Sequence, residues 1–247
     1  MRIFKKKNDN LEVGKIVVGD GKAGHREGYY RLKDNVLYMN ADGNNKVIQV
    51  VSAIQGEGKT TVTCNLAVSL GLTDKKVVVV DLDFHRPRTH RLLKTEKENG
   101  IAEFMLGDFN KNEIIKKTEF KNVDLITRGA EIYNSSLVFI SDKFKNLIAQ
   151  LREEYDYVLL DSPPVLQFSD YIHISKVADG VLFLVAYAST TKAQVAAAVK
   201  ELNNNGANIL GTVFTKYDKK KDKNYDGVGY YNKYYKYYRY EDTSDEE

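Results

Sequence analysis

Residues 50–61 read VVSAIQGEGKTT and join a short apolar run to a stretch of helical periodicity. This is the setting of a phosphate-binding P-loop, whose pattern is GxxxxGK[ST]. Ala53 stands where that pattern has its first glycine. In such loops backbone N–H groups surround phosphate oxygens, the lysine reaches the β- and γ-phosphates, and the hydroxyl coordinates Mg²⁺. The stretch therefore predicts a site for ATP and Mg²⁺ built from Ala53, Gln55, Gly56, Glu57, Gly58, Lys59, Thr60 and Thr61.

Strand-like and helix-like segments alternate around this loop. Short apolar runs predict strands at Val47–Ser52, Val77–Asp81, Val123–Thr127, Tyr157–Asp161, Val181–Ala186 and Ile209–Phe214. Apolar residues at helical spacing predict helices near 27–39, 60–72, 101–117, 137–154, 168–178 and 190–204. This alternation predicts an α/β fold of the P-loop NTPase type, with a doubly wound, mostly parallel sheet and helices on both faces.

Composition divides the chain into three regions. We expect residues 1–26 to form a flexible arm, residues 27–215 a P-loop ATPase domain, and residues 216–247 a disordered, tyrosine-rich tail. The formal net charge of +3 is too small to argue for nucleic acid as a partner. Cys64 is the single cysteine, which excludes an intrachain disulfide. No apolar run reaches the roughly 18 residues of a membrane span, so we expect a soluble, cytoplasmic protein.

Acidic residues end two of the predicted strands. VVVVDLDFHRP (77–87) places Asp81 and Asp83 two residues apart, so an extended backbone directs both carboxylates to one side. YDYVLLDSPP (155–164) places Asp161 at the end of another strand. Because parallel strands end at one edge of a sheet, these three acids and Thr60 predict a magnesium site. The alternative is that the acids only cap turns.

Tyrosines crowd the C-terminal region. Of the chain's 17 tyrosines, eight lie between 225 and 240: Tyr225, Tyr230, Tyr231, Tyr234, Tyr235, Tyr237, Tyr238 and Tyr240. An even spread would place about one there. They could accept phosphoryl groups, stack on single-stranded nucleic acid, or form an aromatic helix face for a partner. The tyrosine pattern alone leaves these three readings open.

These motifs resemble those of the bacterial tyrosine kinases, or BY-kinases, which are related to ATPases of the partitioning and division-site type. SAIQGEGKTT resembles the Walker A motif, VVVVDLDFHRP the extra Walker A′ motif, and VLLDSPP the Walker B motif. The tail tyrosine cluster is a further similarity. The family's oligomerisation helix carries a glutamate and two arginines, where this chain has Glu27, Tyr30 and Lys33. A ring assembly is therefore in question.

The resemblance implies an enzyme that phosphorylates its own tail tyrosines, in trans between subunits. It implies catalytic roles for Lys59, Asp81, Asp83 and Asp161, and an adenine contact at Thr215. It also implies regulation of capsular and exopolysaccharide synthesis and export. The implied partners are a membrane-bound activator or co-polymerase chain that recruits the kinase to the inner face of the membrane, a tyrosine phosphatase, and further copies of the chain. No nucleic acid is expected.

A second hypothesis is an ATP-switched ATPase of the partitioning type, whose tail binds membrane or nucleic acid. That group carries a signature lysine five residues before the P-loop lysine. The corresponding residue here is Ile54, which favours the kinase.

Overall fold

The computed structural model describes residues 15–18, 23–187 and 189–217. Its helices are α1 (Ala23–Met39), α2 (Lys59–Gly71), α3 (Thr89–Leu92), α4 (Ile101–Leu106), α5 (Lys111–Ile114), α6 (Ser135–Ile140), α7 (Asp142–Glu154), α8 (Asp170–Ser175) and α9 (Lys192–Asn204). Its strands are β1 (Val47–Ser52), β2 (Val77–Asp81), β3 (Lys116–Lys117), β4 (Val123–Ile126), β5 (Tyr157–Asp161), β6 (Gly180–Ala186) and β7 (Ile209–Thr215). The tail tyrosines between 225 and 240 lie outside the described residues.

The strands of this part of the chain form one sheet in the order β3-β4-β2-β5-β1-β6-β7. Neighbouring strands are parallel except for β3 and β4, which pair antiparallel. Every residue of β1, β2, β5 and β6 is buried, as expected for central strands covered on both faces. The predicted doubly wound, mostly parallel α/β fold is confirmed.

Alternating residues of the central strands face two separate apolar layers. Val79 packs in a cluster with Val36 of α1 and Leu66 of α2. Val80 packs in another cluster with Leu147 of α7. Helices therefore cover both faces of the sheet, and the carboxyl ends of the parallel strands remain open at one edge.

The segment predicted as one helix near 101–117 is instead two short helices and an edge strand. α4 ends at Gly107, whose φ of 92° lies in the left-handed region. Glycine suits this position because residues with a Cβ rarely adopt that conformation. The Asn110 side chain accepts hydrogen bonds from the N–H groups of Asn112 and Glu113 and so begins α5. The single helix expected over 137–154 is likewise divided, at Ser141, whose hydroxyl caps α7.

The N-terminal region differs from the expected flexible arm in its described parts. Helix α1 begins at Ala23, and residues 15–18 lie against α2. There the Asn65 side chain accepts from the Val17 N–H (2.8 Å) and donates to the Lys15 carbonyl oxygen (3.0 Å). Within the described residues, no helix has the length and apolar character that crossing a membrane requires.

Candidate active site

A cavity of about 470 Å³ lies at the carboxyl edge of the sheet, where the P-loop follows β1. Its floor is the loop and the start of α2. Its other walls come from the segment after β2, from the end of β7 and from α1. The lining residues are Gly28, Tyr29, Leu32, Gln55, Gly56, Glu57, Gly58, Lys59, Thr60, Thr61, Val62, Asp83, Arg86, Arg88, Leu92, Val213, Phe214, Thr215 and Lys216.

The loop has the backbone conformation that its glycines permit. Gly56 and Gly58 have φ values of 82° and 98°, in the left-handed region that residues with a Cβ seldom occupy. Gly58 is the residue before α2, a helix of 13 residues that begins at Lys59. The free N–H groups and positive dipole end of a helix favour a phosphate at this position. Lys59 is itself buried, so its ammonium lies within the site rather than in bulk water.

Two carboxylates of neighbouring strands face each other across the β2–β5 pair. Asp81 and Asp161 are register partners, and both are fully buried. Oδ2 of Asp81 accepts from the Thr89 hydroxyl (2.6 Å), whereas its Oδ1 has no hydrogen-bond partner in the described part of the chain. Oδ2 of Asp161 likewise has none there. Two buried acceptor atoms without donors indicate that something else satisfies them in the working protein.

The pKa shifts of Asp81 and Asp161 agree with a positively charged ligand beside them. Burial raises the pKa of Asp81 to about 6, against the opposing hydrogen bond from Thr89. Burial and then the charge of Asp81 raise the pKa of Asp161 well above its ordinary value, while Lys59 and a hydrogen bond with Thr60 act in the opposite direction. A cation beside these groups would relieve the cost of holding two negative charges in a buried site.

The oxygen atoms at this edge fit a hard divalent cation such as Mg²⁺. Asp83 lines the cavity, and its Oδ1 accepts from the Arg86 N–H (3.0 Å). The Thr60 hydroxyl lies at the start of α2 beside Asp161. Among the described residues, no group of three or more His, Cys, Asp or Glu side chains forms a complete metal site. This composition suits Mg²⁺, which is usually bound by one or two carboxylates together with water and substrate phosphates.

The predicted site residues fall into four groups. Gln55 through Thr61 and Thr215 line the cavity, as does Asp83. Asp81 and Asp161 lie buried beside it, at the strand ends. Ala53 is fully buried at the end of β1 and is not a lining residue. The eight predicted acceptor tyrosines lie outside the described residues, so their position relative to this cavity stays a prediction.

Comparison with known proteins places the chain in a family. The AAA domain family matches residues 45–211, which include the loop and the carboxylates described above. The chain belongs to this AAA domain family. That match covers the sheet from just before β1 into β7.

Curated relatives of this AAA domain chain are named as tyrosine kinases. It is 27% identical over 231 residues to "Tyrosine-protein kinase YwqD" of Bacillus subtilis, a match that covers 94% of the chain and 96% of that relative. It is 30% identical over 200 residues to "Tyrosine-protein kinase wzc" of Salmonella typhimurium, covering 81% of the chain. The chain spans only 28% of that second, longer relative.

Solved structures similar to this chain agree with it in fold. The kinase domain of the Escherichia coli tyrosine kinase ETK has a TM-score of 0.73 and 26% identity, over 78% of this chain and 77% of that one. The septum site-determining protein MinD of Pyrococcus horikoshii, solved with Mg-ADP, has a TM-score of 0.61 and 26% identity, over 71% and 72%. The predicted resemblance to bacterial tyrosine kinases and their partitioning-type relatives is confirmed.

The cavity has an apolar wall that sequence reasoning did not identify. Tyr29 and Leu32 of α1 and Val213 and Phe214 of β7 contribute to it. α1 and β7 are far apart in the sequence, and these four residues belong to none of the quoted motifs, so only the folded chain brings them together. Arg88 also lines the cavity and was not predicted, although it lies just beyond the quoted VVVVDLDFHRP segment.

His85 faces the segment that follows β5 in this AAA domain. Its ring stacks on Phe168 with the centroids 3.7 Å apart, and its Nε2 lies 3.2 Å from Oδ2 of Asp170. The buried Asp170 carboxylate also accepts from the hydroxyls of Ser135 and Ser136. These contacts join the segment after β2, which carries Asp83, to the starts of α6 and α8.

Proposed function

We propose that this chain is an ATP-dependent protein-tyrosine kinase that phosphorylates its own C-terminal tyrosine cluster. The observation that carries the proposal is the combination of a P-loop at a helix start with two buried carboxylates that have unsatisfied oxygens. That combination suits a nucleoside triphosphate with a divalent cation. The names of the relatives supply the reaction class, and the chain's own tail supplies a cluster of candidate acceptors.

The loop and Lys59 would bind the triphosphate and neutralise charge as the γ-phosphoryl group leaves. Phosphoryl transfer depends mainly on such positioning and charge stabilisation. Thr60, Asp81 and Asp161 would hold Mg²⁺, which supplies further positive charge at the phosphate oxygens when bound. The apolar wall formed by α1 and β7 would contact the base of the nucleotide, with Thr215 beside it.

A carboxylate must accept the proton of the attacking phenol, because a tyrosine hydroxyl has a pKa of about 10. We assign this role to Asp83. Asp83 lines the cavity, whereas Asp81 is fully buried and its Oδ2 is occupied by donors from Thr89 and Arg88. The tyrosine oxygen forms a bond to the γ-phosphorus as the bond to the β–γ bridging oxygen breaks. ADP then leaves, and the phenolic proton resides on Asp83.

The biological setting follows from the resemblance described above. We propose a role in the regulation of capsular or exopolysaccharide synthesis and export, in company with a membrane-bound activator chain, a tyrosine phosphatase and further copies of this chain. The similarity to MinD keeps a nucleotide-switched ATPase as the alternative. Ile54 occupies the position of the signature lysine of that group, which favours the kinase.

Incubation of the purified chain with Mg·ATP tests the proposal, with a fragment of the activator added if needed. Mass spectrometry should find phosphotyrosine within residues 225–240. Lys59→Met should reduce it by roughly 100-fold or more, because charge neutralisation at the transferred group is lost. The matched control is Lys200→Met on the exposed face of α9, which should leave the reaction unchanged. Hydrolysis of ATP without any phosphotyrosine would favour the switch ATPase.

A further inference from the structure

Glu57 lies in the middle of the phosphate loop, yet its carboxylate is directed into the protein. The residue is 1% exposed. Its Oε2 accepts from the Ile54 N–H (2.7 Å), and its Oε1 accepts from the Ala186 N–H (3.0 Å) and from the Thr190 hydroxyl. Three donors therefore surround one buried side chain, and none of them belongs to a predicted ligand of the phosphates.

The three donors come from different parts of the fold. Ile54 belongs to the loop itself, Ala186 ends β6, and Thr190 lies just before α9. A fourth contact joins the same residue to β7, because the Thr215 hydroxyl donates to the Glu57 carbonyl oxygen (2.6 Å). Glu57 thus links the phosphate loop to the ends of the two strands that follow it across the sheet.

The neighbours of Glu57 explain why such a link is needed. It stands between Gly56 and Gly58, both in the left-handed region. Glycines allow the loop conformation but also allow many others, so ordering them before a ligand binds costs conformational entropy. A buried side chain with fixed hydrogen bonds selects one conformation in advance, and preorganisation of this kind improves affinity without a new contact to the ligand.

We propose that Glu57 is a positioning residue that holds the phosphate loop in its binding conformation, an inference that rests on the nucleotide binding proposed above. Its carboxylate acts through the loop and not on the phosphates. Both carboxylate oxygens serve as acceptors, so the role requires a carboxylate and not merely a side chain of this size. Glutamine keeps the shape but offers one acceptor oxygen, and its NH₂ group would face an N–H donor in either orientation.

The test measures nucleotide affinity and thermal stability of the full chain side by side. Mg·ADP is titrated by calorimetry into the wild-type chain and into Glu57→Gln, and melting temperatures are recorded without nucleotide. We expect Glu57→Gln to weaken Mg·ADP binding at least tenfold while the chain remains folded at the titration temperature. The matched control, Glu153→Gln, replaces an exposed glutamate of α7 and should bind as the wild type does.

A merely structural role would lower the melting temperature and leave the affinity of the folded protein unchanged. A folded Glu57→Gln variant that binds Mg·ADP within twofold of the wild type would therefore overturn the inference. If this variant fails to fold, the affinity of Thr190→Val for Mg·ADP is measured instead. This substitution removes one donor to the carboxylate and leaves the others. It should weaken binding about threefold or more, and equal affinity would overturn the inference. Failure of the wild type to bind Mg·ADP would overturn the proposed function as well.

Discussion

At the scale of single residues, two buried carboxylates of the site lower the stability of the folded chain when they are ionised. Asp81 and Asp161 are fully buried register partners, and burial raises the pKa of each. A carboxyl group whose pKa is higher in the folded than in the unfolded chain costs stability as the pH rises above its unfolded-state pKa, and the full cost is present once the pH exceeds its folded-state pKa. Strained or poorly satisfied groups of this kind are characteristic of functional sites.

Asp161→Asn should therefore make the nucleotide-free chain more stable and the site less able to bind. At pH 8 in the presence of EDTA, we expect the free energy of unfolding to rise by about 1–3 kcal/mol, since a neutral amide replaces a buried carboxylate beside Asp81. Thermal denaturation measures this change, and titration with Mg·ADP should show a large loss of affinity.

Asp108→Asn is the control for that comparison, because Asp108 is exposed in the turn after α4. Asp108→Asn should change neither the free energy of unfolding nor the affinity for Mg·ADP. A lower melting temperature for Asp161→Asn than for the wild type would show that the buried carboxylate stabilises the fold, contrary to this account.

At the scale of elements, the helix that follows the loop is positioned by close packing at its C-terminal end. Its first residue is Lys59 in the site, and its last is Gly71. A Cβ added to Gly71 would lie 2.3 Å from the carbonyl oxygen of Lys121 and 2.9 Å from Cγ2 of Val123. The absence of a side chain there lets the segment before β4 approach the end of α2.

Gly71→Ala should destabilise the chain although alanine favours helices. The overlap with backbone at Lys121 should cost about 1–3 kcal/mol, more than the roughly 1 kcal/mol that alanine contributes over glycine in a helix. Gly28→Ala in α1 is the matched control, since nothing lies within 4 Å of its added Cβ. Chemical denaturation should show loss of stability for the first variant and equal or greater stability for the second.

At the scale of the whole molecule, the predicted catalytic machinery and the predicted acceptors occupy different regions of the sequence. The residues that line the cavity end at Lys216, and the described residues up to that point form one compact unit. The tyrosine cluster begins at Tyr225. Nucleotide binding should therefore not require the cluster, whereas phosphotyrosine formation should.

A chain that ends after Tyr217 should bind Mg·ADP with wild-type affinity and form no phosphotyrosine in the absent tail. Mixed with full-length Lys59→Met, it should phosphorylate the tail of that inactive chain, because transfer is proposed to occur between subunits. Mass spectrometry of the mixture measures this. If the wild type forms phosphotyrosine but the tail of the inactive chain in the mixture does not, the phosphoryl group is transferred within one chain.

Local patterns were sufficient to predict the main frame of the sheet and which acidic and loop residues lie at its edge. β1, β2 and β5 have the predicted bounds, because runs of buried β-branched and aliphatic residues mark central parallel strands. The P-loop and the acids of the strand ends are equally local, and the topology of parallel strands brings them to one edge. The region 101–117 was predicted wrongly, because the turn at Gly107 and the short edge strand β3 interrupt its helical periodicity.

The folded chain alone shows how the loop is held and what completes the cavity. Glu57 looked like a ligand because it lies in the phosphate motif, but its carboxylate meets donors 129 and 133 residues away in the chain. The apolar wall similarly combines Tyr29 with Phe214. Residue spacing reports which groups lie near one another along an element, whereas the direction of a buried side chain depends on partners that only tertiary packing brings within reach.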